Sequence, residues 1–332
     1  MSHLILFGAG SAGRYALKHL GSAAIACFAD NDSVKQEQII GAVPVYSPED
    51  ALKAFPDAEW IACAIRHDYA VEIRQQMKEM GVRTKPLWKC LPVQHGLPPL
   101  RCMDSVYNLC ADEESRDEWQ DQNSFRIRPG EHQQRPPSDI KDIYFPDFIT
   151  HRDDERMLDA GAANGDTVDA FLSRWKSFEH INAIEPDPQN FAELQNKFFT
   201  VPNIYLHQFA VSDHSGSISF TATGDYSARI DEQHGESTVL CTSLDSCVFL
   251  PPPTYMKFDL EGHELQALWG ARRILKEHNP VLAICAYHES EHFWSIPLLI
   301  HALQPEYRLF FRRYAEGSFE IIWYAVPRER VR

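Results

Sequence analysis

Short apolar runs alternate with amphipathic ones from the start of the chain, a rhythm that predicts strands and helices in turn. Residues 4–7 read as a strand followed by a glycine-rich turn. Residues 12–20 carry a helical pattern, and residues 24–28 form a second strand closed by Asp30. Residues 60–65 read as a buried strand. Over residues 69–80, Val71, Ile73, Met77 and Met80 fall on one helix face that Gly81 ends. These elements predict a small α/β domain over residues 1–92.

The pattern weakens over residues 93–150 into prolines, acids and amides, which predicts a linker with a helical connector, part of it a candidate lid over the second domain. It resumes over residues 151–332. Strands are expected at 157–159, 181–184, 204–207, 255–258 and 281–287, with helices at 167–175 and 188–198. Strands alternating with helices imply a parallel sheet. Residues 308–312 and 320–326, joined through Ala315-Glu316-Gly317-Ser318, read instead as an antiparallel hairpin.

The chain's 332 residues exceed what one core usually covers, which agrees with two domains. A formal net charge of -15 argues against nucleic acid or an anionic membrane as partner and favours a small or neutral substrate. No basic-then-apolar leader and no apolar run of membrane-spanning length stand out, so a soluble, cytoplasmic protein without membrane insertion is expected. The 8 cysteines form no C-x-x-C pair and the 15 histidines no H-E-x-x-H, so neither a disulfide framework nor a zinc site is suggested. Oligomeric state is left open, a homo-oligomer included.

Two glycine loops carry the candidate chemistry. Asp159-Ala160-Gly161-Ala162-Ala163-Asn164-Gly165 fits D-x-G-x-x-x-G, in which glycine admits a ligand close to the backbone and the helix start near Asp166 and Thr167 offers N–H groups. Glu185, after the next strand, stands where an acid accepts hydrogen bonds from ribose hydroxyls. Phe209 and Ala210 are placed beside an adenine. A tight turn that holds nothing is the plainer reading of such a loop by itself.

With Ile184-Glu185-Pro186, Ala210-Val211-Ser212-Asp213, Ser243-Leu244-Asp245, the run Lys257-Phe258-Asp259-Leu260-Glu261-Gly262-His263-Glu264, Gly270-Ala271 and Tyr287-His288, the second half resembles the FkbM family of methyltransferases. The resemblance implies a class I methyltransferase fold, Rossmann-like with a mostly parallel sheet and an antiparallel last strand, preceded here by the smaller Rossmann-like domain. It implies S-adenosylmethionine as cofactor and O-methylation of a hydroxyl on a sugar, glycan or related metabolite.

Methyl transfer to a hydroxyl needs the oxygen aligned with the methyl carbon and its proton removed. Asp259 and Glu261 follow one strand and His288 another, at the carboxyl edge where open α/β sheets bind ligands. His288 is favoured as base; Asp259 and Glu261 can orient it, take the proton, or hold Mg²⁺. In the plainer reading Asp259 caps the following helix and the two glutamates complement its dipole.

The first loop, Gly8-Ala9-Gly10-Ser11-Ala12-Gly13, is a G-x-G-x-x-G with Asp30 closing the next strand. Taken literally it predicts NAD and an oxidoreductase. Phe28-Ala29-Asp30-Asn31-Asp32 with Gly41-Ala42-Val43-Pro44-Val45 resembles the aminoterminal domain of sugar-nucleotide acetyltransferases, which implies a nucleotide-linked acceptor held by Gly8, Gly10, Gly13 and Asp30. A non-catalytic sensor and a plain structural spacer are the alternatives.

Overall fold

The computed structural model describes residues 4–64, 66–85, 87–90, 96–128, 131–221, 229–230, 235, 237–247, 249 and 251–332. The end of one expected strand at Ile65 and the expected boundary at 92–93 lie outside these residues. Contacts divide the chain into two compact units. The first comprises Met1–Leu97, Glu118–Ile140 and Arg313–Phe319, and the second Pro98–Asp117, Lys141–Arg312 and Glu320–Arg332.

The first unit begins with β1 (Leu4–Phe7), α1 (Ser11–Leu20), β2 (Ile25–Ala29), β3 (Ile39–Ile40), β4 (Val43–Tyr46), α2 (Pro48–Ala54), β5 (Glu59–Ala62), α3 (His67–Glu79), β6 (Arg83–Lys85) and α4 (Leu87–Cys90). Its six strands run in the order β3-β4-β2-β1-β5-β6, with β1 parallel to β2 and β5. Side chains alternate between two cores. Leu6, Phe28, Val45 and Ile61 pack on one face, and Ile5, Phe7, Cys27 and Trp60 on the other.

The acid- and amide-rich stretch holds two helices, α5 (Leu100–Leu109) and α6 (Glu113–Ile127). The start of α6 belongs to the second unit, where Arg312 pairs with Asp112 at 2.6 Å and Ser115 Oγ accepts from Phe311 N at 2.9 Å. The rest of α6 belongs to the first, where buried Arg313 meets Glu118 at 2.7 Å. Polar burial of this kind hides a helix from a reading of apolar periodicity.

The second unit continues with β7 (Arg156–Ala160), α7 (Asp166–Arg174), β8 (His180–Ile184), α8 (Pro188–Phe198), β9 (Ile204–His207), β10 (Ala210–Ser212), β11 (Gly216–Thr221), β12 (Arg229–Ile230) and β13 (Ser237–Ser243). Then come β14 (Tyr255–Phe258), α9 (Glu264–Gly270), α10 (Arg272–His278), β15 (Val281–Cys285), α11 (His292–Leu303), β16 (Arg308–Arg313) and β17 (Ile321–Val326). The main sheet runs β16-β17-β15-β14-β7-β8-β9. Neighbours from β15 to β9 are parallel, while β17 is antiparallel to β15. This is the class I methyltransferase arrangement.

Val281–Cys285 and Ile321–Val326 are buried along their whole length, as central strands covered on both faces should be. The strand expected to reach Tyr287 stops at Cys285. Strand β10 joins a separate four-stranded sheet, β10-β13-β11-β12, which the sequence pattern did not suggest. No helix among the described residues is long and apolar enough to cross a membrane.

Candidate functional site

At the carboxyl edge of the main sheet, the chain leaves β7 through Gly161, whose φ of +81° suits glycine. A methyl there would overlap the carbonyl oxygen of Asp259, so the loop lies against the exit of β14. The N–H groups of Gly161 and Ala162 both donate to Ile184 O at 3.0 Å. Gly165 caps α7 in the left-handed conformation, and a methyl there would strike the Phe198 ring. Thr167 N donates to Asp166 Oδ1 at 2.7 Å, so that helix-start donor is engaged within the chain. Asn164 is part-exposed on the same loop, and its carbonyl oxygen accepts from Lys197 at 3.4 Å.

Glu185 leaves β8 beside this loop and is 4% exposed. Its Oε2 accepts from Ala163 N and its Oε1 from Asp187 N, both at 2.8 Å. Among the described residues no cation comes within ion-pair distance. Burial pushes its carboxyl up to about 7, against the downward pull of those two N–H groups. The fixed turn that presents Glu185 comes from Asp187, which caps α8 by accepting from Gln189 and Asn190 N–H, with Pro188 at the first helical position. Strand register aligns Ile184 with His207, so Phe209 and buried Ala210 follow at the same edge as Glu185.

Asp159, expected beside the ligand, is fully buried and faces Lys257 at 3.1 Å. Lys257 Nζ donates to Gly161 O at 2.7 Å, so Asp159 acts on the loop through the lysine. Burial raises Asp159 to about 6 although Lys257 opposes it.

Asp259, Glu261 and His288 do come together. His288 Nε2 lies 3.4 Å from Asp259 Oδ1 and 3.5 Å from Glu261 Oε1. Its Nδ1 is 2.8 Å from Oε1 of Glu264, a fully buried acid whose Oε2 is 2.9 Å from His292 Nδ1. Glu264 Oε1 also accepts from Leu260 N at 2.8 Å, which closes the turn between β14 and α9. Burial opposes charge on His288, yet Glu264, Glu261 and Asp259 outweigh it and hold the ring's pKa well above the usual imidazole range. Burial would raise Glu264, but the two histidines hold it well below the carboxylate range. The expectation of a helix cap at Asp259 fails, because the N-cap of α9 is His263 and Asp259 Oδ2 instead accepts from Tyr144 OH at 2.9 Å.

Sequence reasoning passed over Tyr144, Lys257, Glu264, His292 and Glu320 as site residues. Glu264 had a signal in the acid-rich run after β14. Glu320 depends on strand register: Cys285 pairs with Ile322 and Ala286 N donates to Ile321 O, which brings Glu320 opposite Tyr287. Burial and then Asp259 push Glu320 up to about 7, with His288 opposing. Ligand atoms of Asp259, Glu264 and His288 all lie within 4.8 Å of one another. Among the described residues, four of the eight non-glycine residues with positive φ, Tyr144, Ala163, Glu261 and Glu320, belong to this edge, and such strain concentrates at functional sites.

In the first unit, a methyl on Gly8 would overlap Cys63 O and one on Gly13 would overlap Gly8 O, while space around Gly10 is open. Asp30 Oδ2 accepts from Ala9 N at 2.7 Å, its Oδ1 accepts from Asp32 N at 2.9 Å, and Lys35 stands 3.4 Å away.

Residues 159–315 match the model of the methyltransferase FkbM domain. The whole chain is similar in structure to methyltransferase FkbM from Methylobacillus flagellatus KT, with a TM-score of 0.73 at 19% identity over 98% of this chain and 90% of that one. Hexuronic acid methyltransferase AglP of Haloferax volcanii is 30% identical over 112 residues, 31% of this chain and 46% of that protein. The chain thus spans about half the length of that curated relative.

Proposed function

Since residues 159–315 match the model of the methyltransferase FkbM domain, we propose that the protein is an S-adenosylmethionine-dependent O-methyltransferase acting on a sugar hydroxyl. The observation that carries the reading is the Glu185 carboxylate, buried beside the 161–165 loop with two N–H partners and no cation. Such a group gains from further hydrogen-bond donors, and the two hydroxyls of a ribose supply them. The loop fits the same ligand: Gly161 and Gly165 keep it low against Asp259 and Phe198, Lys257 fixes its carbonyl, Asn164, Asp166 and Thr167 lie on it or just after it, and Phe209 and Ala210 follow the strand paired with that of Glu185.

The donor, when bound, supplies a methyl group on a positively charged sulfur. The chain's own part is to hold the acceptor hydroxyl at Asp259, Glu261 and His288 and to pass its proton among them. Tyr144 steadies Asp259 and Glu264 steadies His288, so the arrangement is fixed before an acceptor arrives. The hexuronic acid relative supports a sugar acceptor. Asp259, Glu261, Glu264 and Glu320 would repel an anionic one, which favours a hydroxyl over a sugar carboxylate.

The test is product chemistry. The protein is incubated with methyl-labelled S-adenosylmethionine and a panel of hexuronic acid and neutral hexose glycosides. Label in a base-stable ether is expected; label in a base-labile ester would refute the hydroxyl assignment, and transfer to no sugar would refute the acceptor class.

A further inference from the structure

At the reaction centre, the buried His288 side chain and the part-buried Asp259 side chain are each held at one atom and left, among the described residues, without a hydrogen bond at the other. His288 is pinned at Nδ1 by Glu264, 2.8 Å away, and Asp259 at Oδ2 by the Tyr144 hydroxyl, 2.9 Å away. The remaining atoms, His288 Nε2 and Asp259 Oδ1, are buried, make no hydrogen bond, and face one another at 3.4 Å. The His288 side chain is only 8% exposed. Glu261 Oε1 stands 3.5 Å from the same Nε2. Glu261 is presented there by a backbone with φ of +51°, followed by Gly262 at +106°, a strained corner of the kind that concentrates at functional sites.

We propose that His288 Nε2, Asp259 Oδ1 and Glu261 Oε1 bind a divalent first-row transition-metal ion, with Glu264 and Tyr144 as the outer residues that orient the ligands. Ligand atoms ~2.1 Å from a common ion at a tetrahedral angle lie roughly 3.4 Å apart, which matches the separation of Nε2 from each of the two carboxylate oxygens. Metal-bound histidine characteristically gives its other ring nitrogen to a carboxylate, and Glu264 occupies that position. An imidazole with two carboxylates suits Mn²⁺, Fe²⁺ or Zn²⁺ better than Mg²⁺, which prefers oxygen and keeps much of its water.

Charge agrees. Asp259, Glu261, Glu264 and Glu320 surround the spot, with Lys257 as the nearby fixed cation, 3.9 Å from Asp259. Among the described residues Glu320 has no side-chain hydrogen bond or ion pair. The ion's remaining positions are open to an acceptor hydroxyl. That last role rests on the methyl-transfer reading; the ion site does not.

The test uses the full-length protein, stripped with chelator and titrated with Mn²⁺ alone, with free ion followed by electron paramagnetic resonance. One Mn²⁺ per chain is expected. Affinity should fall at least about 30-fold in Asp259→Asn and in His288→Ala, and about 10- to 100-fold in Glu264→Gln through its outer position. Asp30→Asn, in the other unit, should bind as wild type. Circular dichroism establishes that each variant is folded, and Asp259→Asn decides the matter should His288→Ala not fold. No binding at millimolar Mn²⁺, or undiminished binding by Asp259→Asn, overturns the proposal. Titration of S-adenosylmethionine in the same samples separates the two ideas: donor bound without Mn²⁺ sinks the ion alone, and Mn²⁺ bound without donor sinks the methyl-transfer reading alone.

Discussion

The chain builds a glycine loop and a following acid twice, and the two copies share more local geometry than their sequences suggest. In the first unit Asp30 accepts N–H bonds from Ala9 in the loop and from Asp32 two residues on; in the second, Glu185 accepts them from Ala163 in the loop and from Asp187 two residues on. What separates them is charge compensation. Asp30 has Lys35 at 3.4 Å, whereas among the described residues Glu185 has no such cation, and burial pushes its carboxyl up to about 7. The first acid is satisfied by its own chain, and the second still gains from donors brought by a ligand. A glycine fingerprint therefore reports how a strand turns into a helix, and the unsatisfied acid beside it reports binding.

The comparison can be broken most forcefully at the glycines. Gly161→Ala and Gly13→Ala each press a methyl onto a carbonyl oxygen, and at Gly161 φ is positive as well. Each should cost roughly 3 kcal/mol or more in thermal or denaturant unfolding. Only Gly161→Ala should also abolish donor binding. Wild-type stability in either variant would mean that the loops are not packed as described.

Next in size is the exchange of the acids. Asp30→Ala should lower stability by about 1–2 kcal/mol, because Ala9 and Asp32 lose an acceptor, and should leave affinity for S-adenosylmethionine unchanged. If a nucleotide-sugar or NADH protected the first unit against heat in wild type but not in Asp30→Ala, the first loop would be a binding site after all.

pH gives a subtler contrast. Ribose hydroxyls bind the ionised form of Glu185, so donor affinity should rise from pH 6 to 8 and level off above about 7, by at most about tenfold per unit. Linkage gives the ligand-free protein the opposite slope. The folded state keeps a proton on Glu185 that the unfolded chain releases above its ordinary value of 4.5, so this group's contribution to stability falls as pH rises from 4.5 towards 7. Calorimetric titrations at several pH values check the first, and melting temperatures the second. An affinity flat in pH would remove Glu185 from the ribose.

The smallest effect belongs to Gly10→Ala. Nothing lies near its would-be side chain, so stability should stay within about 0.5 kcal/mol. A larger loss would point to an unrecognised constraint in the first loop.

Much of this was legible in the sequence. Strand and helix rhythm located β7, β8, α8, β9 and the terminal hairpin to within a residue or two, because each buries apolar side chains at a regular period. The bounds of helix α6 within the expected helical connector were not legible, since its buried face carries Ser115, Glu118, Asp121 and Gln122 and is held by arginines. At the site, Glu185, Asp259, Glu261 and His288 announced themselves by following strands. Tyr144, His292 and Glu320 did not, because each reaches the edge through a fold-wide register that no local spacing encodes. Asp159 matched the loop motif yet turned inward, where its partner Lys257 is 98 residues away along the chain.

The most direct measurement is the stoichiometry of S-adenosylmethionine binding, by calorimetric titration of wild type, Glu185→Ala and Asp30→Ala. One donor per chain is predicted for wild type and Asp30→Ala, with affinity reduced about 10- to 100-fold in Glu185→Ala. Two donors per chain, or undiminished binding by Glu185→Ala, would contradict the assignment of the donor to the second loop.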